Sequence, residues 1–220
     1  MPFISGLTQL RSLSIVGMAK NTGKTECLNY VLRRLWEEYP QVSLALTSIG
    51  IDGERRDQVT QTDKPEICIH PGTVFVTAEK FYRNKLVAAE VVGIDEQYTT
   101  SLGRAIYAKS KGTGKVLIAG PASTGGLKHI IRKMRDRNID LTIIDGALSR
   151  ISLAAPSVSE GMILATGAAY SVQPEELIRK THHLYRLIQL PEFPSRAIAE
   201  NLADAERGMF VIDAEGNVFE

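Results

Sequence analysis

The chain has 220 residues, a length that favours one main domain with an appended segment. Its 44% hydrophobic and 23% charged residues are typical of a globular protein and exclude general disorder. The 26 Lys and Arg nearly balance the 25 Asp and Glu, and a net charge of +1 gives no overall attraction to nucleic acid or to an anionic membrane.

Cysteine content and hydrophobic run length predict where the protein works. Two cysteines, Cys27 and Cys68, argue against a disulfide scaffold and indicate a reducing compartment, so we expect a cytoplasmic protein. The uncharged stretch at residues 161–174 is too short and too polar to cross a bilayer. We therefore expect neither a membrane nor a nucleic acid as partner.

Strand and helix patterns alternate along the chain. In the first half we predict a strand at residues 13–16, a glycine-flanked loop, a helix marked by Leu28, Val31, Leu32 and Leu35, a strand at 42–49, an exposed loop at 50–66, strands at 67–69 and 74–76, and helices at 80–86 and 99–108. In the second half we predict a strand at 115–119, a helix marked by Leu127, Ile130, Ile131 and Met134, strands at 141–144 and 162–165, a helix at 174–188 and a strand at 209–212.

This alternation predicts the fold class. Continuous apolar strands between helices indicate a mostly parallel central sheet covered on both faces, which is a three-layer α/β fold. We predict a main domain at residues 1–190 and a C-terminal segment at 191–220, where an apolar run and a turn resemble a hairpin. The unfinished second run predicts that the natural chain continues past Glu220.

The clearest functional motif is Gly-Met-Ala-Lys-Asn-Thr-Gly-Lys-Thr at residues 17–25, between the first predicted strand and helix. Backbone N–H groups of such a loop and the positive end of the helix form a cradle for phosphate. Lys24 would reach the terminal phosphates and the Thr25 hydroxyl would help to hold Mg²⁺. The alternative is a chance Gly-Lys-Thr in a turn. The similar Gly-Thr-Gly-Lys at residues 112–115 precedes a strand, so we interpret it as a turn.

The motif predicts ATP and Mg²⁺ as cofactors. The motif Asn-Lys-x-Asp, which reads guanine, does not occur in the sequence, and this favours ATP over GTP. The expected nucleotide-binding residues come from the loop and the first helical turn: Gly17, Lys20, Asn21, Thr22, Gly23, Lys24, Thr25 and Glu26.

Two acidic positions are candidates both for binding the metal and for catalysis. Thr25 is the other metal-binding candidate, and Lys24 is the other catalytic candidate. Asp145 ends the apolar run at residues 141–144, and in P-loop proteins a neighbouring strand commonly delivers an acid toward Mg²⁺. The alternative for Asp145 is a simple Asp-Gly turn. Asp52, with Asp57 in reserve, follows the second strand and could orient water or Mg²⁺, although a solvated charged loop is an equal alternative.

A second turn is a candidate site for an anionic substrate group. Residues 120–126 lie between a predicted strand and a predicted helix, where backbone amides can bind an anion. More often such a turn only caps its helix, here through Ser123 or Thr124. Arg150 could contact phosphate or a partner, while solvation is the commoner fate of a lone arginine.

The spacing of the first motif resembles a known class of proteins. Five residues separate Gly17 from Gly23, whereas four are usual. This spacing resembles the phosphate loops of dethiobiotin synthetase and the cobyrinate synthetases, within the SIMIBI class of P-loop NTPases. Asp145-Gly-Ala is similar to the Glu-Gly-Ala of that group. Lys20 lies one place too near Lys24 for the signature lysine of the partition and nitrogenase-iron-protein branch, so we keep it as a phosphate contact.

More narrowly, three segments resemble the accessory proteins encoded with lysine 5,6-aminomutase, at residues 16–25, 144–150 and 163–168. This resemblance implies an ATPase that couples nucleotide state to a partner and helps to exchange damaged cobalamin on a cobalamin-dependent aminomutase. The wider class implies a homodimer. The alternative enzyme is an ATP-dependent ligase or kinase for a small carboxylate, with residues 120–126 receiving the acceptor. A third hypothesis is a scaffold that binds nucleotide without hydrolysis.

Overall fold

The computed structural model describes residues 3–52, 66–83, 85–100, 103–121, 123–147, 158–190, 195, 198, 210–213 and 217–219. The helices in this part are α1 (Ile4–Leu7), α2 (Lys24–Glu38), α3 (Glu79–Arg83), α4 (Thr124–Arg135) and α5 (Pro174–Ile188). The strands are β1 (Ser12–Gly17), β2 (Leu44–Ser48), β3 (Ile51–Asp52), β4 (Ile67–Ile69), β5 (Val74–Ala78), β6 (Ala89–Thr100), β7 (Gly103–Ser110), β8 (Gly114–Val116), β9 (Ile118–Ala119), β10 (Leu141–Ala147), β11 (Gly161–Ala165), β12 (Val211–Ile212) and β13 (Val218–Phe219). The chain divides into two compact units, Met1–Arg179 and Lys180–Glu220.

The first unit contains a seven-stranded sheet in the order β11-β1-β10-β2-β5-β7-β6. The neighbours from β11 to β5 pair in parallel, while β7 pairs antiparallel with both β5 and β6. The protein is therefore an α/β protein with a mostly parallel central sheet, as the alternation of patterns predicts.

Helices cover both faces of this sheet. Successive side chains of a strand point to opposite faces, and β1 shows the consequence. Ile15 packs in one core cluster with α2 residues such as Leu32, and Val16 packs in another with α4 residues such as Leu127. Both faces of the central strands are buried, which is why their sequences are continuously apolar.

The predicted helix at residues 99–108 is wrong, because this segment belongs to the hairpin of β6 and β7. Residues 105–108 of β7 are all buried, since Ile106 packs on the α2 face of the sheet and Tyr107 on the α4 face. A strand buried on both faces has no alternating pattern, and a short apolar run of this kind does not distinguish a strand from a helix.

Other boundaries differ in detail. The predicted strand at 115–119 is two strands, because β8 pairs with β4 whereas β9 pairs with β3. β3 lies inside the segment predicted as a loop at 50–66, of which residues 53–65 fall outside the described part. The helix predicted at 80–86 is the shorter α3.

Several predicted elements are confirmed. The helix after the glycine-rich loop is α2, the helix at 174–188 is α5, and the C-terminal hairpin is the antiparallel pair β12–β13 in the second unit. Within the described residues, no helix combines the length and the hydropathy that crossing a membrane requires.

Candidate functional site

The carboxyl ends of three neighbouring parallel strands bring the predicted site residues together. β10 lies between β1 and β2, and Asp145 is paired in register with Ile15 on one side and Ser48 on the other. Because parallel strands end at the same edge, the loop after β1 and the Asp145 carboxylate meet there. Asp145 is almost fully buried at 2% exposure.

The loop after β1 curls tightly around Gly17. A Cβ atom at Gly17 would lie 2.9 Å from the Thr22 Oγ1 and 3.2 Å from the carbonyl oxygen of Ala19, so only glycine fits without displacement. The Thr22 hydroxyl donates to that same Ala19 carbonyl at 2.9 Å. Asn21 and Gly23 have φ values of 61° and 83°, a left-handed backbone that asparagine and glycine tolerate best.

The neighbouring strand β11 anchors this loop. The Met18 N–H donates to the carbonyl oxygen of Ala165, the last residue of β11, at 2.9 Å. Beyond β11 the chain remains close to the loop, since a Cβ at Gly167 would lie 3.8 Å from the Thr22 carbonyl oxygen. The loop is thus held from within by Thr22 and from outside by the end of β11.

The first turn of α2 follows directly. Gly23 is the N-cap residue of α2 and has no side chain. The first backbone N–H groups of the helix therefore donate no hydrogen bond to an N-cap side chain. Thr25 is half-buried at the second helical position, and Glu26 is exposed at the third. The preceding Lys20 and Asn21 are exposed on the loop. A helix N-terminus of this form attracts anions through its amides and its dipole.

The decisive contact of the site is an ion pair. Lys24, the first residue of α2, places its Nζ 2.7 Å from the Oδ1 of Asp145. The Lys24 side chain is 16% exposed and the Asp145 side chain 2%. The two residues that sequence reasoning selects for the terminal phosphates and for the metal are therefore in direct contact.

The structure describes the other candidates only in part. Asp52 ends β3, and its backbone pairs antiparallel with Ile118 of β9, while its side chain lies outside the described part. Asp57 and Arg150 also lie outside the described residues. The segment that carries Asp52 starts beside the site, because the Ile49 N–H donates to the carbonyl oxygen of Asp145 at 3.0 Å.

The turn at the start of α4 is a helix cap in the structure. Ser123 is the N-cap residue of α4, and its Oγ accepts the Gly126 N–H at 3.2 Å. The preceding Gly120 packs tightly on β2, since a Cβ there would lie 1.9 Å from the Ser48 carbonyl oxygen. This turn therefore has its own capping side chain, in contrast to the start of α2.

Sequence reasoning missed the backbone partners of the site. Ser48, Ile49 and Ala165 position Asp145 and the loop through strand pairing and main-chain hydrogen bonds. Backbone partners leave little trace in side-chain identity, so spacing alone could not identify them. The resemblance at residues 163–168 was the one signal that pointed to the end of β11.

The arrangement fits a magnesium ion bound with phosphates. Mg²⁺ usually takes one or two protein oxygens together with substrate phosphates, and Asp145 and Thr25 offer a carboxylate and a hydroxyl oxygen. The Lys24 ammonium shows that a cation is accepted beside the Asp145 carboxylate. Among the described residues, no group of three or more His, Cys, Asp or Glu forms a metal site of its own.

Comparisons with known proteins add no family. No family model matches this sequence, and no curated protein or solved structure is significantly similar to it.

Proposed function

We propose that the protein is a Mg²⁺-dependent P-loop ATPase of the SIMIBI type, in which residues 17–25 cradle the phosphates of ATP. The observation that carries this proposal is the ion pair between Lys24 and Asp145 at the mouth of a tightly curled glycine loop. It joins a lysine on the first turn of a helix to an acid on the adjacent strand, which is the pair of charges that triphosphate and Mg²⁺ require.

Each residue has a role in this proposal. The backbone N–H groups of the loop and the first turn of α2 hold phosphate oxygens, and Lys24 neutralises the terminal phosphates. Thr25 and Asp145 would hold Mg²⁺, which supplies charge neutralisation when it is bound. Asp52 orients water or Mg²⁺ from the segment after β2, and Lys20 supplies a further phosphate contact.

Nucleotide state would be transmitted to a partner. The segment after β2 is joined to the site through Ile49 and the Asp145 carbonyl oxygen, so loss of the γ-phosphate can change its position. The resemblance of the motifs implies a cobalamin-dependent aminomutase as the partner, on which the ATPase would act as a reactivase.

The alternative function is a ligase or kinase for a small carboxylate. One observation favours it: the turn before α4 adjoins the same segment after β2, since the Gly50 N–H donates to the Pro121 carbonyl oxygen at 3.2 Å. An acceptor bound at this turn would lie near that segment. The capping hydroxyl of Ser123 counts against it, because this hydroxyl already satisfies one of the amides an acceptor would use.

Release of ADP from Mg-ATP separates these functions. We expect ADP release that rises when a cobalamin-dependent aminomutase is added and that is lost in Lys24→Ala. Release that depends instead on small carboxylic acids would establish the ligase or kinase. Nucleotide binding without ADP release under any of these conditions would indicate a scaffold that binds nucleotide without hydrolysis, and it would contradict the proposed ATPase activity.

A further inference from the structure

A partly buried lysine and a buried carboxylate neutralise each other in the candidate site. The Lys24 Nζ lies 2.7 Å from the Asp145 Oδ1, and the Asp145 side chain is nearly inaccessible to water. Removing one member of a buried ion pair is strongly unfavourable, because the remaining charge is left uncompensated. A ligand that draws Lys24 away removes this positive charge from Asp145, and a cation bound together with the ligand can take its place.

We propose that Lys24 is the resident counter-ion of Asp145 in the ligand-free protein, and that Asp145 exchanges it for a divalent metal ion when triphosphate binds. Triphosphate and metal then bind as one linked unit, and metal-free triphosphate is rejected. This inference rests on the proposed function, because it takes polyphosphate to be the ligand for which Lys24 leaves Asp145.

The two partners differ in their freedom to move. Asp145 lies on the central strand β10, which is paired on both sides and holds the carboxylate in place. Lys24 is on the first turn of α2, and its ammonium sits at the end of a flexible four-carbon stem. Exchange therefore moves the lysine toward the phosphates while the carboxylate stays in the site.

The charges of the ligand explain why the metal is needed. Metal-free triphosphate would place several negative charges near a carboxylate that has just lost its lysine. Coulomb repulsion is strong where water is excluded, so this state is unfavourable. A divalent cation removes the conflict, because it attracts both the phosphate oxygens and the Asp145 carboxylate.

A surface ion pair in the same chain provides a matched control. The Lys111 Nζ lies 2.7 Å from the Glu90 Oε2, the same separation as in the candidate site, but the two side chains are 60% and 48% exposed. Water screens such a pair, and its contribution is small. Changes at Glu90 and Lys111 remove the same charges without exposing a buried partner.

Calorimetry tests the exchange with ATP in Mg²⁺ and with ATP in excess chelator. We expect the wild type and Glu90→Gln to bind Mg-ATP at least about tenfold more tightly than metal-free ATP, because a buried carboxylate must regain a cation. In Asp145→Asn we expect this ratio to fall below about threefold, mainly because metal-free ATP binds more tightly without a buried charge to oppose it.

The outcomes distinguish the inference from the proposed function. An unchanged ratio in Asp145→Asn, with ATP still bound, overturns the counter-ion exchange alone. Failure of the wild type to bind ATP in either form overturns the proposed function, and the exchange with it.

A second variant tests the same idea without nucleotide. Lys24→Met leaves Asp145 without its lysine, so we expect Mg²⁺ alone to raise the melting temperature of this variant more than that of the wild type. Lys111→Met should respond to Mg²⁺ as the wild type does. An equal Mg²⁺ response in Lys24→Met and wild type would overturn the exchange, even if Asp145→Asn does not fold.

Discussion

Asp145 and Asp95 are both buried carboxylates of the first unit, 2% and 4% exposed, yet different kinds of partner hold them. Asp145 faces a lysine ammonium. Asp95, on β6, accepts hydrogen bonds from the Tyr107 hydroxyl, from the His129 Nε2 at 2.9 Å, and from the backbone N–H groups of Gln97 and Tyr98, each at 2.9 Å.

The donors around Asp95 are fixed in place. The His129 Nδ1 lies 3.3 Å from the guanidinium of Arg132, which can only donate, so the ring hydrogen belongs on Nε2 facing Asp95. Burial by itself raises the pKa of Asp95, but the hydrogen bonds from Tyr107, Tyr98 and Gln97 outweigh it and hold the pKa below its usual value.

The contrast shows how a buried charge can be assigned to structure or to ligand binding. The partners of Asp95 come from β6, β7 and α4, so this carboxylate ties the hairpin to a helix. Lys24, which pairs with Asp145, is instead a flexible cation that can move to another anion. We therefore expect changes at Asp95 to act on stability and changes around Asp145 to act on nucleotide binding.

The largest expected effect is on stability, at Asp95. Asp95→Ala should lower the free energy of unfolding by about 3 kcal/mol, because it leaves His129, Tyr107 and two amides without their acceptor. Urea unfolding followed by circular dichroism measures it. The exposed neighbour Glu96→Ala should change stability by less than about 0.5 kcal/mol. Equal losses of unfolding free energy in the two variants would contradict the structural role of Asp95.

Gly17→Ala should act mainly on the site. Its Cβ would lie 2.9 Å from the Thr22 Oγ1, so we expect Mg-ATP affinity to fall at least about tenfold as the loop shifts. Gly112→Ala, where a Cβ meets nothing within 4 Å, is the matched control from the Gly-Thr-Gly-Lys sequence at residues 112–115. Calorimetric affinity equal to that of the wild type in Gly17→Ala would contradict the loop's role.

Tyr107 should make the Asp95 cluster sensitive to alkali. Burial and the hydrogen bond to Asp95 raise the pKa of Tyr107, so the fold favours the protonated hydroxyl. This contribution is complete below the unfolded pKa of about 10 and is lost as the pH rises toward the higher folded value.

Tyr107→Phe removes this dependence. Between pH 9 and pH 11 the wild type should lose about 1 kcal/mol more stability than Tyr107→Phe, as measured by urea unfolding at both values. The exposed Tyr185→Phe should keep the wild-type dependence. A parallel decline in wild type and Tyr107→Phe would show that the hydroxyl is not held in the cluster.

The smallest expected effect comes from the cap of α4, and it distinguishes the start of α4 from the start of α2. Ser123→Ala removes the cap of α4 and should cost about 1 kcal/mol of stability, whereas Ser123→Asp keeps a capping oxygen and should cost less. Neither variant should change Mg-ATP affinity measured by calorimetry. A large loss of affinity in Ser123→Ala would instead place this turn in the nucleotide site.

The sequence predicted the parts of the fold whose patterns are local. The loop at residues 17–23, the helix after it and the strand that ends in Asp145 each carry their own signal of glycines, helical spacing or a continuous apolar run. The residues that meet at the sheet edge could therefore be selected before the structure was known, because parallel strands place their ends together.

What the sequence could not predict depends on long-range pairing. The hairpin of β6 and β7 was missed because Tyr107 and its neighbours are buried on both faces, and the Asp95 cluster was missed with it. The contact between Lys24 and Asp145 also required the strand order, which places β10 directly beside β1. Side-chain identity alone does not specify which strands are neighbours.

The most direct test of the account is calorimetry of Mg-ATP binding to the wild type, Lys24→Ala and Lys115→Ala. Lys115 follows the second glycine of the Gly-Thr-Gly-Lys sequence at residues 112–115, is 59% exposed and pairs with Glu66, so it is the matched control. We predict that the wild type and Lys115→Ala bind Mg-ATP alike, and that Lys24→Ala binds at least about tenfold more weakly. Binding by Lys24→Ala as tight as that of the wild type would contradict the phosphate-binding role of this loop.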